Sequence, residues 1–89
     1  MKYVARLLPY EHGIEITFPD IGICTCAESR DDAEAWAQDL LTLWAEDYTE
    51  ETAPKAHTIE ELRADETLWL DRCDERDFSQ PYEFVYIEI

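Results

Sequence analysis

Cys24 and Cys26 stand one residue apart in "ICTCA", a spacing that puts both thiols on one face if the segment is a strand. With His12 or His57 they have the ligand types of a zinc site. No second closely spaced ligand pair completes such a set, and cysteine is also a common buried hydrophobe. A nucleophilic Cys–His pair has its residue types present, but nothing in the sequence sets one against the other. Twenty-two Asp and Glu bring carboxylates together by number alone, so neighbouring acids single out neither a glycosidase pair nor a two-metal site. Only two glycines occur, Gly13 and Gly22, too few for a glycine-rich phosphate loop. The chain therefore reads as non-enzymatic, with no catalytic residue, no metal and no cofactor.

The charge balance points instead to a partner. Seven Lys and Arg oppose the 22 acids, for a formal net charge of −15. That field excludes duplex nucleic acid as a direct partner, because phosphate binding needs a basic face, and it disfavours anionic membranes. Either the protein is simply very soluble, as in a high-salt setting, or its surface is built to meet a basic protein. Eighty-nine residues fit one domain, taken as 1–89. A chain of this size buries only about 60–65% of its unfolded surface, so a partner interface would help to stabilise it. Hydrophobic residues at 46% and aromatics at 12% argue for a packed core. "MKYVARLLPY" is too short in its apolar run for a leader or membrane segment, which predicts a cytoplasmic protein, and three cysteines do not suggest a disulfide framework.

Positioning falls to a few short elements. "KYVARLL", residues 2–8, is expected to be a strand stopped by Pro9, with a turn over 10–13. "GIEITF" alternates cleanly, with Ile14, Ile16 and Phe18 on one side and Glu15 and Thr17 on the other; Pro19 should end the pairing. A third strand spans 23–27. Ser29 then caps a helix, with Asp32 three residues on, and acids crowd the first turns. Ala33, Trp36, Ala37, Leu40, Leu41, Trp44 and Tyr48 form its inward stripe. Thr58 and Glu61 make a capping box for a second helix, expected to Ala64; Ile59, Leu62, Trp69, Leu70 and Cys73 could continue its stripe, although 66–75 also suits a strand. "YEFVYIEI" closes the chain as a strand apolar on both faces, to be placed inside the sheet or under a partner. The order β-β-β-α-(α)-β predicts an α+β fold: a small antiparallel sheet with helices packed on one face.

The run from Phe18 to Ala33 resembles the HicB antitoxin family. The family pattern reads approximately Phe-Pro-Asp-Leu-Pro-Gly-Cys-x-Thr-x-Gly-Asp-Thr-x-Glu-Glu-Ala. Phe18, Pro19 and Asp20 match it, Ile21 stands for the leucine, and with the second proline deleted Gly22 and Thr25 fall in place. Ile23 takes the family cysteine, Ala27 the glycine, Glu28 the aspartate and Ser29 the threonine; Asp31 and Asp32 replace the glutamates, and Ala33 matches. The likeness covers about residues 1–48 of the chain. It implies a partial RNase H-like fold without a catalytic carboxylate set. It also implies a partner: a small basic toxin, HicA, which resembles a double-stranded-RNA-binding domain and cleaves mRNA with a histidine. Many relatives append a C-terminal DNA-binding domain, and none is expected here after Ile89.

The expected function is an acidic antitoxin that occludes such a toxin, with attraction between opposite charges raising the on-rate. Two acidic clusters are candidates for the contact: Asp39, Glu46, Asp47, Glu50 and Glu51 on the first helix and its exit, and Glu60, Glu61, Asp65, Glu66 and Asp71 on the second. Trp69 and Tyr82 are candidate aromatic anchors, with core packing as their alternative role. The rival function is a phage-type acidic inhibitor or nucleic-acid mimic that blocks a defence nuclease or a CRISPR complex, an anti-CRISPR in effect. The apolar last strand also offers a surface for pairing two copies as a homodimer.

Overall fold

Four extended segments pair into one antiparallel sheet, in a computed structural model that describes residues 1–65 and 82–89. Strands β1 (Lys2–Tyr10), β2 (Gly13–Phe18), β3 (Ile23–Ala27) and β4 (Glu83–Glu88) lie in the order β3-β2-β1-β4. Helix α1 spans Arg30–Ala45 and α2 spans Ile59–Ala64, which gives the expected α+β class. No helix among the described residues is long and apolar enough to cross a membrane.

The register decides what each face holds. Leu7 opposes Ile16, Ile14 opposes Ala27, and Tyr3 opposes Ile87. These residues, with Ala5 and Phe18, close over Ala33, Ala37 and Leu41 of α1. Alanines at 33 and 37 let the helix backbone approach the sheet, and each buried Leu, Ile or Phe contributes about 1.5–3 kcal/mol. Val4 and Phe84 alternate with this set, so they point to the other face, where Leu62 of α2 covers them.

The helices thus lie on opposite faces of the sheet, not on one face as the sequence led us to expect. The reason is visible in β1 and β4: both strands carry apolar residues on both faces, and one helix cannot cover two faces. The same fact corrects the expectation for the last strand. β4 is an edge strand among the described residues, so it does not sit inside the sheet; its Ile87 and Phe84 pack into the two cores of its own chain, while Tyr86 stays 42% exposed.

Three local expectations also change. β1 continues through Pro9, which pairs with Ile14. Pairing with β4 begins only at Leu7, so among the described residues Pro9 has no strand on its other side to miss its N–H. Ser29 occupies the N-cap of α1, but its side chain makes no cap bond and Oγ donates to Asp32 Oδ2 at 3.2 Å. Trp36 is not part of the inward stripe; it stands 51% exposed. The capping box of α2 is present in full: Thr58 Oγ1 accepts from the Glu61 N–H at 3.1 Å, and Glu61 Oε1 accepts from the Thr58 N–H at 3.0 Å.

Candidate protein-binding surface

Helix α1 turns about 100° per residue, so a row spaced four, three, four and three residues shares one side. Asp32, Trp36, Asp39, Leu43 and Glu46 form such a row, and all five are exposed. Leu43 is 64% exposed, the highest value for a large hydrophobic among the described residues. Carboxylates therefore alternate with large apolar side chains along the outside of the helix. Single exposed apolar residues are ordinary; here two large ones, Trp36 and Leu43, share one side of the helix with three carboxylates.

The far end of α1 is fixed by an aromatic stack. Trp44 packs edge-on to Tyr3 at 5.6 Å between ring centroids and stacks on Tyr48 at 4.3 Å. The Tyr3 hydroxyl donates to the Pro54 carbonyl, which pins the connector that follows the helix. Burial pushes the Tyr3 phenol above its usual range, and the Asp20 carboxylate nearby adds to the shift.

Asp20, from the Phe-Pro-Asp turn, is itself buried. Its Oδ2 accepts the backbone N–H of His57 at 2.7 Å, and its Oδ1 lies 2.6 Å from His57 Nδ1. The carboxylate thereby anchors His57 to the β2–β3 turn. Gly22, at φ +69°, supplies the left-handed residue of that turn. His57 is thus engaged by Asp20, and the described residues bring no group of three or more His, Cys, Asp and Glu within reach of one metal ion. Cys24 and Cys26 are free thiols, both exposed on β3, an edge strand among the described residues.

The proposed contact residues fall on two sides of the molecule. Asp39, Glu46, Asp47, Glu50 and Glu51 are exposed on α1 and its exit. Glu60, Glu61 and Asp65 are exposed on and beside α2, across the sheet. Glu61 is engaged in the capping box, and the backbone bond from Thr58 holds its carboxyl below the usual carboxylate range. Tyr82 is half-buried: its ring meets Phe84 edge-on at 5.3 Å, and the Arg6 guanidinium carbon lies 5.7 Å from its centroid. Glu66, Trp69, Asp71 and Cys73 lie outside the described residues. Arg6 is only 1% exposed, a buried cation in a row with Thr17 and Phe84 that alternation in "KYVARLL" did not single out.

Two residues matter here that the sequence reading did not put on this side: Trp36 was expected in the inward stripe, and Leu43 was given no role. Trp36 sits about 100° and Leu43 about 120° from the centre of the Ala33–Ala37–Leu41 stripe, so a helical wheel centred on the alanines puts both outside it. No protein-family model, curated protein or solved structure matches this chain.

Proposed function

We propose that the protein is a non-enzymatic, HicB-like antitoxin whose α1 face binds and occludes a small basic mRNA-cleaving toxin. The observation that carries this reading is the exposed row Asp32, Trp36, Asp39, Leu43 and Glu46, in a molecule of net charge −15. Its carboxylates match the Lys and Arg of an RNA-gripping face, and its apolar members supply desolvated anchor contacts. Isolated surface ion pairs contribute only about 0–1 kcal/mol each, so Trp36 and Leu43 would carry most of the affinity and the acids the speed of encounter. The β-β-β-α order through residue 45 and the buried Phe18-Pro19-Asp20 turn are compatible with the family resemblance.

The test is co-expression with a basic toxin encoded beside this reading frame. Growth should recover and the two chains should co-purify. The double variant Trp36→Ala/Leu43→Ala should lose rescue while remaining folded, since neither side chain is part of the buried core. Unrelieved toxicity with the wild-type chain overturns the antitoxin reading. Carboxylates on both faces of the sheet favour one second reading, a nucleic-acid-mimicking inhibitor. Capture of a nuclease complex that the chain inhibits, together with indifference to the toxin, would establish it instead.

A further inference from the structure

At the N-terminal end of the same row, α1, the end of β3 and the tip of the β1–β2 hairpin enclose a groove of about 560 Å³. Tyr10 and His12 form one wall, with their rings edge-to-face at 6.3 Å. Trp36 lines the helix side, Cys26 and Ala27 come from β3, and Glu28 and Asp32 place carboxylates in the lining. The wall is held in place by backbone. Gly13 pairs through Tyr10 at the hairpin tip, and a Cβ there would stand 2.2 Å from the Ala27 carbonyl oxygen, so only glycine lets the tip close on β3.

Aromatic faces beside carboxylates are complementary to one chemical group, a planar cation. A neutral apolar ligand would desolvate Glu28 and Asp32 without replacing their hydration. An anion would meet like charge. The half-positive end of α1 is offset by Asp31 and Asp32 in its first turn. A guanidinium can lie flat on an indole or phenol and direct its N–H groups to carboxylates, which an ammonium cannot do in the same plane.

We propose that this groove receives an arginine side chain of the basic protein partner, stacked on Trp36 or Tyr10 and bonded to Glu28 and Asp32. The inference deepens the partner-binding reading and rests on it. It assigns the site at which one arginine is recognised, beyond the general attraction of the acidic surface.

The test uses the full chain and an acetylated, amidated nona-arginine peptide, followed by calorimetry at about 0.15 M salt, where long-range attraction is largely screened. Trp36→Ala and the pair Glu28→Gln/Asp32→Asn should each weaken binding about tenfold. The pair Glu34→Gln/Glu88→Gln removes the same charge on the β4 side of α1 and should change binding less than about twofold. Thermal melting checks that every variant is folded. If both charge pairs weaken binding equally, or Trp36→Ala binds as the wild type does, the groove is not the site, although the acidic surface still binds a polycation. If nona-arginine does not bind the wild-type chain at all, the groove and the basic-partner reading fall together.

Discussion

Asp20 shows how much one side chain can organise. Buried in the turn after β2, its carboxylate takes a backbone and an imidazole nitrogen of His57 from 37 positions along the chain. Hydrogen bonds to a charged group contribute about 1.5–3 kcal/mol, and leaving such a site half-filled costs a similar amount. Asp20→Asn should therefore lower the unfolding free energy by about 1.5–3 kcal/mol in urea titration. In a double-mutant cycle with His57→Ala the two losses should be well short of additive; strict additivity would show that the pair contributes nothing. The Phe-Pro-Asp turn was legible, because proline and glycine announce turns. The partner of Asp20 was not, because a contact between distant residues leaves no local pattern.

At the scale of the element, α2 is the more exposed to solution conditions. Six residues are too few for a helix to persist by propensity, so it depends on the burial of Leu62, on the capping box and on the Tyr86 hydroxyl, which accepts the Ile59 N–H at 3.0 Å. The carboxyl of Glu61 is held below its ordinary value. A depressed carboxyl stabilises the fold above its unfolded-state value and loses that contribution as pH falls through the folded-state value. Glu61→Gln keeps the shape of the box without the charge. It should melt below the wild type at about pH 7, and the gap should close as the pH falls through the folded-state value of Glu61, below which both side chains are neutral. A gap that persists unchanged in acid would show that the charge is not the cause. The box was readable as Thr58-x-x-Glu61, and the helix ends where the sequence suggested. Its face was not readable, since a short amphipathic segment does not say which side of a sheet will cover it.

For the whole molecule, 22 acids against seven bases make the native state repel itself. The molecule spans 37 × 28 × 19 Å. At about 0.01 M salt the screening length is about 30 Å and nearly all of its charges interact; at about 0.15 M it is about 8 Å and few do. Added sodium chloride should therefore raise the melting temperature steadily while it slows association with a basic partner. A melting temperature indifferent to salt would mean that the carboxylates are too well separated to matter, and would weaken the argument for steering.

Local order came from the sequence itself: strand alternation at Ile14, Ile16 and Phe18, the start of the first helix after Ser29, the Thr58–Glu61 capping box of the second, and the sign of the surface field. Each of these depends on residues a few positions apart, or on a sum over the chain that needs no coordinates. Tertiary structure alone decided that the helices lie on opposite faces, that Trp36 faces outward, and that Tyr10, His12, Glu28 and Trp36 line one groove. Those outcomes depend on how closely the alanine stripe of α1 meets the sheet and on which strand faces still need cover, and both are settled only when every element competes for the same apolar surface.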